Sequence, residues 1–84
     1  MKVRWTPAAR TDLADIWLKA DSAQRRVITT AAQEIDNRLA VDAKNEGESR
    51  PDGRRIFFES PLGVAFRVDA AGAEVHVLRV WRIR

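Results

Sequence analysis

The chain has 84 residues, 45% hydrophobic and 32% charged, with 15 lysines and arginines against 12 acids for a net charge of +3. That balance fits one folded domain with a single shared core and not a disordered segment. With no cysteine the chain has no disulfide, zinc finger or thiol nucleophile, and no apolar run approaches the roughly 18 residues of a membrane span.

Val3-Arg4-Trp5 predicts a short strand. Thr6-Pro7 starts a helix, with a hydroxyl N-cap and a proline at the first helical position, where its missing N–H costs nothing. Ala9, Leu13, Ile16, Trp17 and Ala20 then recur at helical spacing, an amphipathic helix over residues 7–20. Asp21-Ser22 ends it and caps a second helix over 23–43, whose apolar face is Ile28, Ala31, Ala32, Ile35 and Leu39. So short a break folds the two helices into an antiparallel hairpin.

Residues 44–53 are polar, with two glycines and a proline, and read as a loop. The pattern then changes to strand alternation. In Arg54–Ser60, Ile56 and Phe58 are expected to face the helices, and Arg55, Phe57 and Glu59 the other side. Pro61-Leu62-Gly63 reads as a turn. Val64, Phe66 and Val68 point inward from the next strand, Ala71-Gly72 turns again, and Glu74–Arg84 is the last strand. Strict alternation there sends Val75, Val77, Arg79, Trp81 and Ile83 to the helices and His76, Leu78, Val80, Arg82 and Arg84 to the opposite face. A bulge at Val77-Leu78 would exchange the faces beyond it. The expected fold is α+β and a single domain over 1–84. It comprises a short N-terminal strand, an antiparallel helical hairpin and a three-stranded antiparallel meander, in the order β-α-α-β-β-β, with the helices on one sheet face. Leu13, Ile16, Trp17, Ile28, Ile35 and Leu39 should meet Ile56, Phe58, Val64, Phe66 and Val75 in its core.

Twelve of the fifteen cations are arginine, and the last ten residues hold Arg79, Arg82 and Arg84 with no acid. Arginine is a planar, two-pronged donor for phosphate or carboxylate, so the composition points to nucleic acid or an acidic protein partner. Under strict alternation the helix-free face gathers Arg55, Phe57, Arg67, His76, Arg82 and Arg84, with Arg50 and Arg54 beside it on the loop. Guanidiniums stabilise charge on a transferring phosphoryl group, Phe57 offers a ring to a base, and His76 is the side chain that titrates near neutral pH. The competing reading is an ordinary solvated face whose arginines pair with Glu59, Glu74 and Asp69. Asp12 and Asp15 read as solvated acids near the start of their helix, and Trp5, Trp17 and Trp81 as core or subunit anchors. One histidine without cysteine supports no metal site, and Gly47, Gly53, Gly63 and Gly72 form no phosphate-cradling loop.

The segments Val3-Arg4-Trp5-Thr6-Pro7-Ala8-Ala9, Asp12-Leu13-x-x-Ile16-Trp17, Phe66-Arg67-Val68-Asp69 and Val75-His76-Val77-Leu78-Arg79-Val80 span nearly the whole chain. In this order, with a second helix and a polar glycine-containing loop between them, the sequence resembles the RelE/ParE superfamily of small bacterial toxins from toxin–antitoxin pairs. The resemblance implies a basic toxin held inactive by a small antitoxin; the antitoxin is expected to be acidic, no cofactor is expected, and with neither a signal-peptide h-region nor a membrane span the expected location is the cytoplasm. RelE-like members cut mRNA on the ribosome, the ribose 2′-OH attacking the neighbouring phosphate. ParE-like members poison DNA gyrase by binding it and have no nuclease chemistry.

For an endoribonuclease the catalytic candidates are His76, Arg67 and Arg82. The candidates for RNA or partner binding are Arg50, Arg54, Arg55, Phe57, Arg79 and Arg84. Three features depart from the nuclease pattern that the resemblance implies. Gly63 stands where an arginine precedes the apolar run of the third strand, Arg82 where a histidine follows the last strand, and the chain has no tyrosine. An arginine, with a pKa above about 12, is no general base, which leaves His76 as the group to move a proton.

Overall fold

The computed structural model describes residues 1–69, 71 and 73–83. Strand β1 (Lys2–Trp5) leads through Thr6 into helix α1 (Pro7–Leu18). The Thr6 hydroxyl accepts a hydrogen bond from the Ala9 N–H at 3.1 Å and donates to the Leu78 carbonyl, while the Thr6 N–H donates to the Val77 carbonyl. One residue therefore caps the helix and ties its start to the last strand. Asp21 caps helix α2 (Ser22–Asp42) by accepting from the Gln24 N–H at 2.8 Å. Ile28, Ala31, Ile35 and Leu39 are its buried stripe, as the helical spacing predicts.

A 3₁₀ turn (Ala43–Asn45) leads to the two-residue strand β2 (Glu48–Ser49), inside the segment read as loop. Strands β3 (Arg55–Glu59), β4 (Leu62–Asp69) and β5 (Glu74–Arg82) follow. They form one sheet in the order β1-β5-β4-β3-β2. The pairings β2–β3, β3–β4 and β4–β5 are antiparallel, and β1 runs parallel to β5. The α+β architecture and the order of its main elements are those expected. The core lies between the helices and one sheet face, around Phe66, Ile28, Ile35, Leu39, Leu62, Val64, Val75 and Val77.

Strand β3 faces the opposite way from expectation. Phe57 is 3% exposed and Phe58 is 58% exposed. The turn is only Ser60-Pro61, so Leu62 and Gly63 belong to β4, and the register pairs Phe57 with Val64 and Phe58 with Gly63. A one-residue shift in a turn exchanges every side chain between the two faces. Arg55 and Glu59 share Phe57's inward side, and both find partners there. Arg55 donates to the Glu46 and Gly47 carbonyls, and Glu59 accepts from Arg38 at 3.0 Å.

The last strand carries the bulge. Ala65 pairs with Arg79 and Phe66 with Val77, so Leu78 is the extra residue. Beyond it Val80 (4% exposed) is on the core side, and alternation puts Arg79 and Trp81 on the open face. Strict alternation fails at the point where β1 stops, opposite Val77. From that point the β5 edge is held by α1 instead: the Leu78 carbonyl by Thr6, and the Val80 N–H by an Asp12 carboxylate oxygen at 3.0 Å. Trp17, expected in the core, is 39% exposed, while Leu13 and Ile16 are half-buried against the core.

Candidate functional site

The expected site does not assemble as one cluster. Arg67 and His76 do share the open face, and the register places Arg4, His76 and Arg67 side by side across β1, β5 and β4. The Glu74 carboxylate lies between two of them, 3.0 Å from the Arg4 Nε and 3.7 Å from the His76 Nε2. Arg67 donates to the Asp52 carbonyl at 3.1 Å. Arg82 is elsewhere. The bulge returns it to the side of Val80, where it pairs across from buried Leu62 and borders α2 at Ala23, Gln24 and Val27. The sheet therefore separates Arg82 from His76 and Arg67.

The other candidates are tied into the structure. Phe57 is buried against Phe66, ring centroids 5.5 Å apart, with the Arg38 guanidinium 4.4 Å from its own centroid. It offers no ring to a base, because the β3 register turns it into the core. Arg55 points the same way and holds the 46–49 segment through three donations, to the Glu46 carbonyl, the Gly47 carbonyl and the Ser49 hydroxyl. Arg50 donates to Glu48 at 3.3 Å, and Arg54 pairs with Asp52 at 2.7 Å. The Arg54 N–H, followed by its guanidinium charge, holds the Asp52 carboxyl below the usual carboxylate range. Arg84 lies outside the described residues.

Arg79 donates through Nε and Nη2 to both oxygens of Asp12, at 2.8 and 2.9 Å. This two-pronged pair is the main cause that holds the Asp12 carboxyl below its ordinary range; partial burial works against it and the Val80 N–H adds to it. Read from sequence as solvated, Asp12 instead joins α1 to β5. The two residues are 67 positions apart, and no local pattern announces their meeting.

Two further features emerge only in three dimensions. On the open face, Phe58 and Trp81 meet edge to face, centroids 6.5 Å apart. A Cβ at Gly63 would come within 2.4 Å of the indole, so Gly63 makes room for Trp81. An isolated glycine in an apolar strand is the signal for such a close approach.

The second feature is a groove of about 780 Å³ between α1, α2 and the free edge of β1. Its apolar lining includes Val3, Trp5, Leu13, Trp17, Leu18, Ile28 and Ala32. The charged residues lining it are Lys2, Arg4, Arg10 and Asp36. Asp36 is already engaged, accepting from the Trp5 indole N–H at 2.6 Å. The opening is thus apolar inside and basic at the rim. Among the described residues no cluster of three metal-ligating side chains occurs, and no helix is long and apolar enough to cross a membrane.

Comparison with known proteins agrees with this architecture. No curated protein sequence matches the chain significantly. Among solved structures, the chain is similar to one in the toxin–antitoxin complex RelBE2 from Mycobacterium tuberculosis, with 25% identity and a TM-score of 0.76 over 96% of this chain and 95% of that one. It is also similar to a chain of the chromosomal ParDE TA system from P. aeruginosa, with 26% identity and a TM-score of 0.69 over 100% and 97% of the two chains. The family model for the ParE toxin of the type II toxin–antitoxin system parDE matches residues 3–84. This chain belongs to the ParE toxin family, within the RelE/ParE superfamily of type II toxins.

Proposed function

We propose that this toxin acts by binding its target, DNA gyrase, and not by cutting mRNA on the ribosome. One observation carries the reading: Arg82 sits across the sheet from Arg67 and His76. Phosphoryl transfer needs charge stabilisation and proton transfer converging on one phosphate. Here one candidate of the three is on the wrong face, Arg67 is held by a loop carbonyl, and His76 has Glu74 as its near neighbour. The ring expected to stack a base is in the core. What the open face does present is exposed Phe58 against half-buried Trp81, with Arg79 next along β5 on that face, and aromatic and arginine side chains are the types enriched at protein interfaces.

The antitoxin partner is assigned to the groove. A groove with apolar walls and the cations Lys2, Arg4 and Arg10 at its rim fits an amphipathic helix that is apolar on one face and acidic at its flanks. The solved neighbours come from toxin–antitoxin systems, which supports a partner of that kind. Both partners place the protein in the cytoplasm.

The test is induced expression in a bacterium, with RNA 5′ ends mapped and plasmid supercoiling followed in parallel. Growth arrest with altered supercoiling, no new RNA ends and full potency in His76→Ala is the expected result. New RNA ends that disappear in His76→Ala would restore the nuclease reading.

A further inference from the structure

The groove has two aromatic walls, and each is fixed by a side chain from α2. Trp5 lies in β1, half-buried against the core, and its indole N–H is held by Asp36 of α2 at 2.6 Å. Trp17 closes α1, with the Arg25 guanidinium 4.2 Å from its ring centroid. Arg25 also donates to the Trp17 and Leu18 carbonyls, at 2.9 and 3.2 Å. One guanidinium therefore covers a face of the indole and bonds two carbonyls at the end of its helix. Asp36 and Arg25 both reach across from α2, so the helix that forms the floor also sets the two walls.

Resting on the groove assignment above, we infer that Asp36 and Arg25 are positioning residues for partner binding. They hold Trp5 and Trp17 as pre-set anchors, and the acidic helical partner is selected by how its apolar side chains fit between them. Large aromatic anchors dominate binding when they are already in place, because ordering a side chain on association weakens it. At the rim Arg4 is paired with Glu74 and Asp36 is held by Trp5, which leaves Lys2 and Arg10 as the lining charges that favour an acidic occupant.

The experiment titrates a labelled synthetic helix, with leucines along one face and glutamates on its flanks, into the intact protein. The same helix with lysines for glutamates is the control. Asp36→Ala is expected to weaken binding about three- to tenfold, the cost of ordering one large side chain. Asp36→Asn should restore most of the affinity, since its amide oxygen still accepts from the Trp5 indole. In Trp5→Phe, which has no N–H to hold, Asp36→Ala should have almost no further effect. Arg25→Ala should weaken binding similarly, and Arg25→Lys, which lacks the planar stack, should not rescue it. Tryptophan anisotropy decay of the free protein should show a loosened indole in both alanine variants, with the far-UV CD spectrum unchanged.

Unchanged affinity in Asp36→Ala, or effects of Asp36→Ala and Trp5→Phe that simply add, would overturn the positioning role while leaving the groove assignment standing. Failure of the wild-type protein to bind the acidic helix in preference to the basic one would overturn the groove assignment and this role with it.

Discussion

Asp12 and Arg79, one on α1 and one just past the bulge of β5, meet through two parallel hydrogen bonds, and the same carboxylate takes the Val80 N–H. This triple contact holds the β5 edge where β1 no longer covers it. Asp12→Ala leaves the Val80 N–H without its partner and should cost about 1–3 kcal/mol. The pH dependence follows from the lowered Asp12 carboxyl. A carboxyl depressed by folding stabilises fully above its unfolded value of about 3.9, and the contribution is lost as pH falls through the folded value. Asp12→Asn should therefore be less stable than wild type at neutral pH, with the difference closing below about pH 4. Urea unfolding at several pH values checks this; a pH-independent difference would show that the charge does not matter.

Gly63 and Trp81 make a second, sharper test. A methyl at position 63 must displace an indole that would lie 2.4 Å away. Gly63→Ala should cost about 1–3 kcal/mol, the usual effect of forcing atoms into a packed site, and should shift the tryptophan emission. In Trp81→Ala the space is empty, so adding Gly63→Ala should cost well under about 1 kcal/mol. Equal costs in both backgrounds would refute the packing.

The register of β3 predicts opposite outcomes for adjacent phenylalanines. Phe57 is buried beneath Arg38 and against Phe66, whereas Phe58 is mostly exposed. Phe57→Ala should cost about 3–5 kcal/mol, as should Phe66→Ala, which nearly unfolds a marginal domain. Phe58→Ala should cost about 1 kcal/mol or less. Thermal melts of the three variants decide it, and the reverse ranking of Phe57 and Phe58 would restore the other register.

How much of this is legible in the sequence depends on how local each signal is. The Thr6 and Asp21 caps and the Ile28, Ala31, Ile35, Leu39 stripe are read correctly because each is set within a few residues of its own position. Faces in the sheet are harder. Both sides of β3 carry a phenylalanine, and its polar residues, Arg55 and Glu59, look outward until their distant partners Glu46 and Arg38 are in place. The bulge at Leu78 is one of two alternatives that the Val77-Leu78 pair leaves open, and the end of β1 opposite Val77, which coincides with it, lies at the other terminus of the chain. Once it is placed, Arg82 leaves the open face and the expected catalytic group divides. The groove depends on three separate elements, and the sequence reads its two aromatic walls, Trp5 and Trp17, only as core or subunit anchors.

The rim of that groove makes the last prediction. Lys2, Arg4 and Arg10 are exposed, so changing Lys2 and Arg10 should leave folding intact. Rim charges act mainly by steering encounter, and exposed charges separated by more than about 8 Å are screened at physiological salt. Association with an acidic helix should therefore slow as salt rises, while dissociation changes little. Lys2→Glu combined with Arg10→Glu should slow association by about tenfold or more at low salt and flatten its salt dependence. In cells the same pair of changes should leave the toxin potent but poorly neutralised, since Phe58 and Trp81, on β3 and on β5 beyond the end of β1, do not line the groove. Stopped-flow association across a salt series, together with growth on co-expression of antitoxin, measures both. A salt-independent association rate in the wild type would remove the basic rim from recognition, and loss of toxicity in the charge-reversed variant would show that the groove also engages the target.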